Sequence, residues 1–424
     1  MKSKNEYIDK HVVFKKTALS IAVALISVGS YIPESYSAGT LDCTGVLYYC
    51  GTGDLSSYDQ VNVTTTDAGG TSPLAGFGVY INGNNLMANN LTIKTSGATA
   101  DAIRGNSEAI YIKVQNLTIE TTGSSADGIN VASDGNNNYD SLVYVTGSAN
   151  ISVTDGVAVR ANNFQNAGAN SVIILAGSNV IKVTGTASAS NTTDSRGYAV
   201  YAGNRDRDIN GIGGWDALMG KNNNTLGNSY VFIGADSEIS TATKAGHAVY
   251  ANKGGVIQLG DGADISTTGG NAFAIYAATE QQGTYTDNVR SGSVYLVGGA
   301  KLRAANSTDV IQANGVGSII ASQSFAVPEI PDSYLRWDRL DIDKTALVDS
   351  EGVFDIEGNI NAINGGTIAL NMSNNSRFVG SSSVDSASIV NLNLNGKNSL
   401  WTMTKDSTLT NLTLNNATLS YQAP

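Results

Sequence analysis

The sequence predicts an all-β protein, a right-handed parallel β-helix that follows an N-terminal signal peptide. Three observations predict this fold. Short strings of alternating apolar and polar residues recur along the chain, Gly, Asn or Asp closes nearly every string, and no stretch after residue 37 has a helical period with caps. Short strands with one apolar face cannot bury that face alone, whereas coiling stacks each strand on its counterpart one turn earlier.

Residues 1–37 have the pattern of a signal peptide. Lys10, Lys15 and Lys16 precede the apolar stretch Thr17 to Val28, and small residues follow before Ala38. This stretch is shorter than the roughly 20 residues that a membrane-spanning helix needs. We therefore expect an exported protein that passes through the periplasm and reaches the cell surface, the outer membrane or the medium.

The composition fits a repeat protein and argues against nucleic acid as a partner. The 424 residues include 47 Gly and only 5 Pro, and the 41% of hydrophobic residues are enough for a continuous core. The formal net charge is −11, and no cluster of Lys and Arg occurs after residue 16. A chain of this kind offers no surface that would follow a phosphate backbone.

Two cysteines, Cys43 and Cys50, lie near the start of the mature chain. Export to an oxidising compartment favours a disulfide bond between them, and no third or fourth ligand lies nearby for a metal. The string from Asp134 to Asp140 spaces oxygen atoms like a calcium loop but lacks the required Gly and Glu, so we interpret it as a polar turn. No phosphate loop or dinucleotide motif occurs, and we expect neither a metal nor a cofactor.

The repeats consist of two kinds of string. One kind combines small, aliphatic and aromatic residues, as in Gly197–Ala202 and Gly246–Ala251, and the other alternates strictly, as in Leu117–Thr121. Equivalent places in the first kind are taken by residues that we expect to point inward in one column or in neighbouring columns: Val200, Val249 and Ile275. We expect about 15–18 turns of the helix, which at a strand spacing of about 4.8 Å would give a rod roughly 70–90 Å long.

Segment boundaries follow from breaks in this rhythm. We divide the chain into a signal peptide (1–37), β-helical repeats (38–322), an irregular loop (323–345) and C-terminal rungs (346–424). Residues 203–229 and 323–340 are expected to protrude. The first segment is the possible recognition loop, because exposed Arg and aromatic residues contribute most of the energy at interfaces. Its candidate residues are Arg205, Asp206, Arg207, Asp208 and Trp215.

The string from Asn398 to Thr404, with Trp401 at its centre, and the following Ser407 to Asn416 resemble the C-terminal passenger region of pertactin-like autotransporters. The resemblance is specific over residues 365–424. It implies a β-helical passenger that its own C-terminal β-barrel translocator carries to the cell surface. Because this chain stops at Pro424, we expect either a passenger truncated before the autochaperone and the barrel or a fragment of a longer open reading frame, with the translocator as a missing partner.

Candidate catalytic residues are few. His11 belongs to the signal peptide, and His247 stands where the other repeats have Tyr198 and Phe273, so we expect it to be structural. A polysaccharide lyase or glycosidase would need paired carboxyl groups. The four candidates all adjoin Gly or lie at predicted turns, where Asp is common: Asp127, Asp155, Asp261 and Asp264.

We therefore expect a non-enzymatic adhesin that binds host surfaces or glycans, or associates with copies of itself. Flat, repetitive faces suit many weak contacts that add up to avidity. An enzyme acting on polysaccharide and a secreted toxin-like virulence effector are the alternatives.

Overall fold

A computed structural model describes residues 39–47, 53–69, 76–81, 83–105, 109–133, 139–163, 169–186, 197–204, 228–281, 289–307 and 309–422. The named elements of these residues are all β-strands. In chain order they are β1 (Thr40–Thr44), β2 (Gly53–Asp54), β3 (Gln60–Thr65), β4 (Val79–Ile81), β5 (Asn85–Thr95), β6 (Ile103–Gly105), β7 (Tyr111–Ser124), β8 (Ile129–Ser133), β9 (Ser141–Val145), β10 (Ala149–Asp155), β11 (Val159–Asn163), β12 (Ser171–Leu175), β13 (Val180–Val183), β14 (Val200–Asn204), β15 (Ser229–Ile233), β16 (Glu238–Thr241), β17 (Val249–Ala251), β18 (Gly255–Leu259), β19 (Ala263–Thr267), β20 (Ile275–Gln281), β21 (Val289–Ser291), β22 (Ser293–Leu296), β23 (Ala300–Ala304), β24 (Asp309–Asn314), β25 (Ile319–Ala321), β26 (Gln323–Ser324), β27 (Val348–Asp349), β28 (Asp355–Glu357), β29 (Asn359–Ile363), β30 (Thr367–Met372), β31 (Arg377–Val379), β32 (Ser382–Val384), β33 (Ile389–Asn395), β34 (Leu400–Met403), β35 (Asn411–Asn415) and β36 (Thr418–Tyr421).

The strands stack in three parallel columns, which makes the fold a parallel β-helix and confirms the predicted class. The first column contains β9, β12, β15, β18, β22, β25, β30, β33 and β35, with β2 and the first halves of β5 and β7 above them. The second contains β1, β3, the second halves of β5 and β7, β10, β13, β16, β19, β23, β28, β31, β34 and β36.

The third column forms a separate sheet, because turns and loops divide it from the other two. It runs through β4, β6, β8, β11, β14, β17, β20, β24, β29 and β32, while β21 adds an antiparallel pair to β20. The first two columns are continuous in one 23-stranded sheet, since β5 and β7 pass through both. From β4 to β34 the chain therefore visits the third, first and second columns in order.

The inward column predicted from the repeats is confirmed. Val200 pairs with Val249, and Val249 pairs with Ile275, in parallel register across β14, β17 and β20. All three side chains are fully buried. The burial follows from the pleat, which sends alternate side chains of a strand to opposite faces.

The number of turns is lower than expected. The second column has thirteen strands among the described residues, against the 15–18 turns expected from the repeats. The reason is the uneven length of the turns: Asn391 and Asn411 of neighbouring turns are 20 residues apart, whereas Asn179 and Ser237 are 58 apart. Long segments between strands therefore lower the number of turns that a chain of this length can form.

Asparagine amides link one turn to the next. Asn116 donates to Asn90 at 2.9 Å, Asn393 donates to Asn371 at 2.7 Å, and Asn411 donates to an Asn391 oxygen at 2.8 Å. These ladders satisfy side-chain donors along the stacking direction, as identical side chains do in stacked strands.

The described residues all belong to one compact unit, Ala38–Pro424; Met1–Ser37, which contains the predicted signal peptide, lies outside them. Cys43 is buried and disulfide-bonded, while Cys50 lies outside the described residues, so their pairing stays a prediction. Within the part of the chain that is described, no helix is long and apolar enough to cross a membrane.

The tryptophan of the C-terminal rungs is a core residue. Trp401 stacks on Phe378 of the previous turn with ring centroids 5.1 Å apart, and its indole N–H donates to the Gly380 carbonyl at 3.0 Å. Leu419 follows Trp401 in register on the next turn and is 39% exposed. Leu419 is therefore covered much less than Trp401, which is 1% exposed one turn earlier.

Candidate recognition surface

From β7 to β25 the first column is largely apolar on its outer face as well as on its inner face. Ile173 and Val231 point into the core, while their neighbours Ile174, Tyr230 and Phe232 point outward and are also buried. Both faces of β12 and β15 are thus covered, which explains why their sequences are nearly continuous apolar runs. Some other part of the chain must cover the outer face.

That cover is a strap, which we define as residues Phe325–Leu347. The prediction that this segment protrudes is wrong. Phe325 packs its ring on Phe232 and Tyr295, at centroid distances of 5.6 and 5.8 Å, and Tyr334 packs edge-on against Tyr111 at 4.9 Å. The strap runs from the level of β25 back to the level of β7 and returns to β27, because its apolar side chains match the apolar outer face beneath it.

Polar contacts fix the strap at several points. At one end the Gln258 side chain donates to the Phe325 carbonyl at 3.1 Å and accepts from the Phe325 N–H at 3.0 Å. Near the far end the Leu340 N–H donates to Asp140 at 2.9 Å, and Lys113 pairs with Asp332 at 2.8 Å. The strap therefore has a defined path on the surface.

The tip of the strap, Leu335–Trp337, is held by two successive β-turns of the backbone. The Tyr334 N–H donates to the Pro331 carbonyl at 2.9 Å and the Asp338 N–H donates to the Leu335 carbonyl at 2.8 Å. Asp338 in turn accepts from the Leu335 N–H at 2.7 Å. Leu335 is 40% exposed and Trp337 is 49% exposed, so a fixed backbone presents two large apolar side chains to solvent.

The tip also carries positive charge. The Arg336 guanidinium lies over the Trp337 ring, 5.2 Å from its centroid, as in a cation–π contact. Trp and Arg are the side chains that contribute most at binding surfaces, and a rigid backbone lowers the entropy lost on binding. The tip is therefore the best candidate recognition surface among the described residues.

The outer face of the third column is aromatic. His247 stacks between Tyr198 and Phe273, with ring centroids 5.7 and 5.0 Å away. This confirms that the imidazole takes the place of a ring in the repeat. Its Nδ1 accepts the Phe273 N–H at 3.1 Å, and burial lowers the pKa of His247 from 6.5 to about 3. The imidazole is thus neutral and its Nδ1 is already engaged, which leaves that nitrogen unsuited to act as a base.

Replacing His247 with Phe is expected to change the pH dependence of stability. The folded imidazole stays neutral down to about pH 3, whereas in the unfolded chain it takes a proton below about pH 6.5. The wild type therefore loses stability as the pH falls through this window, and Phe does not. At pH 7.5 the variant should be less stable than wild type by about 1 kcal/mol, because the Phe273 N–H lacks its acceptor. Between pH 7.5 and pH 4 its stability relative to wild type should rise by about 3 kcal/mol.

Chemical denaturation at both pH values tests this crossing. Tyr198→Phe is the control, because burial raises the pKa of Tyr198 and its ring stays neutral throughout this range. Its difference from wild type should not depend on pH. If the free energies of unfolding of His247→Phe and wild type differ by the same amount at both pH values, the imidazole is not buried in its neutral form.

Two carboxylates lie on the same face, several turns before the rings. Asp101 accepts the Asp127 N–H at 2.8 Å, and Asp127 accepts the Val157 N–H at 2.8 Å on the next turn. Asn130 donates to both, at 3.1 and 2.9 Å, and the Arg160 Nε lies 3.2 Å from Asp127. Burial is the largest cause that raises the pKa of Asp127. The carboxylates repeat one structural role, since each holds a backbone N–H of the following turn.

The other predicted site residues are not brought together. Asp261 accepts the Gly299 N–H at 2.6 Å, Asp264 pairs with Lys301 at 2.6 Å on the second column, and Asp155 ends β10. The possible recognition residues lie outside the described residues, so their role stays a prediction: Arg205, Asp206, Arg207, Asp208 and Trp215. In the described ranges, no group of three or more His, Cys, Asp or Glu side chains is placed to hold a metal ion.

The tip was not predicted from the sequence, although it contains Arg and Trp, as does the predicted recognition loop 203–229. The pair Arg336-Trp337 stands in a segment with two prolines and alternating charges, which indicated a loop but not its path. The adjacent Arg and Trp were the feature of the sequence that could have indicated a binding surface.

Fold and surface together define a repeat protein of the parallel β-helix class with a strapped outer face. Comparison of the chain with models of protein families, with curated proteins and with solved structures gave no match.

Proposed function

We propose that this protein is an adhesin, the passenger of a pertactin-like autotransporter, which acts at the cell surface by binding host surfaces or neighbouring cells and catalyses no reaction. The observation that carries the proposal is the strap tip, where a fixed double turn presents Leu335 and Trp337 beside Arg336. The parallel β-helix and the Trp401 rung agree with the resemblance of the C-terminal rungs to that family.

Replacing Trp337 with Ala is expected to abolish or strongly reduce adhesion without changing the fold. The side chain is half-exposed and its backbone is held by the neighbouring turns, so its loss removes contact area but no core packing. Beads coated with purified protein would be scored for binding to epithelial cells and to one another, and circular dichroism melts would be compared.

Val348→Ala is the matched control, because Val348 is also an exposed apolar residue but lies at the base of the strap. It should adhere like wild type. If Trp337→Ala beads bind as well as wild-type beads, the tip is not the adhesive surface.

Action on a polysaccharide is a second candidate function, favoured by one observation. Burial raises the pKa of Asp127 beside Asp101 and Arg160, a property common in catalytic carboxyl groups. Both carboxylates already accept backbone N–H groups, which is why we rank adhesion first. Release of unsaturated or reducing oligosaccharides by wild type, but not by Asp127→Asn, would reverse this ranking.

A further inference from the structure

The indole of Trp337 has the geometry of a platform for a sugar ring. One face lies under the Arg336 guanidinium, 5.2 Å from the centroid, and about half of the side chain remains exposed. A flat apolar surface packs well against the C–H face of a pyranose, and the indole N–H and the adjacent guanidinium supply donors for its polar groups.

Charge at the tip favours an anionic group. Arg336 is partly exposed and Arg339 is exposed, while the nearby carboxylate of Asp338 accepts the Leu335 N–H and Asp332 pairs with Lys113. The charge of Arg339 acts on the carboxyl group of Asp140, so Arg336 is the cation that lies beside the indole. Arg binds carboxylates and sulfates through charge-assisted hydrogen bonds, which are stronger than those to neutral hydroxyls.

The size of the tip favours a small ligand group over a protein. A stable protein partner covers about 800 Å² on each side, with about 20–30 residues. The tip and the two residues that follow it offer five residues, enough for one or two sugar units. Weak binding at one site is compensated when many copies meet a polymeric ligand.

We propose that the strap tip binds an acidic saccharide, with the pyranose ring on Trp337 and its carboxylate or sulfate against Arg336. This inference rests on the proposed adhesive function and names its ligand class.

Calorimetric titration of the full chain tests the proposal with two probes of equal length, a galacturonate hexasaccharide and neutral maltohexaose. The acidic probe should bind at least about tenfold more tightly, and its affinity should fall as salt is raised. Trp337→Ala should weaken binding of the acidic probe by about tenfold or more. Arg336→Gln should remove most of the preference over maltohexaose while leaving the melt unchanged.

The outcomes separate this inference from the proposed function. Equal binding of the two probes, unchanged binding by Trp337→Ala, or binding of neither probe overturns the saccharide proposal. If neither probe binds but Trp337→Ala beads lose adhesion, the adhesive tip stands and its ligand is of another class. If the acidic probe binds through Trp337 and adhesion is unaffected, the saccharide site stands and the proposed function falls.

Discussion

Replacing Val249 with Asp should destabilise the stack by several kcal/mol, the largest effect that we expect from one substitution. Val249 is fully buried between Val200 of the previous turn and Ile275 of the next. A carboxylate there would lie among aliphatic side chains without a cation or a hydrogen-bond donor. Burying such a group costs about 3–5 kcal/mol even after partial relaxation.

Thermal and chemical unfolding of purified protein would measure this cost. Ser240→Asp is the matched control, because Ser240 lies on a neighbouring strand with its side chain on the outer face, level with Lys182 and Ser266. It should change stability by no more than about 0.5 kcal/mol. A Val249→Asp protein that melts like wild type would remove Val249 from the core.

Removal of the strap should make the protein self-associate. Replacing residues 325–347 with a short turn between β26 and β27 would uncover the outer face of the first column, including Tyr230, Phe232 and Tyr295. Exposed apolar patches larger than a few hundred Å² are uncommon on soluble monomers and promote association. Each large side chain that loses its cover should cost about 1.5–3 kcal/mol.

Light scattering and the binding of a hydrophobic dye would measure the effect. The control keeps the strap and replaces only its tip, Leu335–Trp337, by Gly-Ser-Gly. This control should remain monomeric, because the contacts of Phe325, Tyr334 and Leu340 are retained. A strapless protein that stays monomeric and binds no dye would show that the outer face does not need its cover.

The fold and its inward columns could be predicted from the sequence because they depend on local periodicity. Alternation within each string sets which side chains point inward, and the repeat of strings sets which strands stack. His247 was placed correctly for the same reason, since Tyr198 and Phe273 occupy its position in neighbouring repeats.

The strap and its tip could not be predicted in this way. Leu340 contacts Asp140, 200 residues earlier, and Asp332 pairs with Lys113, 219 residues earlier. No local pattern reports a contact of that span. The unbroken apolar strings of β12 and β15 do indicate that both faces are covered, but not which segment covers them. Prolines and charges in the strap indicated a loop, and a loop can equally protrude or lie flat.

The strap also changes how the protein would bear mechanical load. In an unstrapped stack each turn contacts only its neighbours, so tension on one end peels turns away singly. Here Asp332 and Leu340 tie the end of the strap to the level of β7 and β9, while Phe325 ties its start to β18. Turns between β7 and β18 cannot detach one by one until the strap itself detaches. Turns after β28 lie outside the levels that the strap joins. Under tension the turns after β28 would thus yield gradually, whereas the strapped turns would hold as one block.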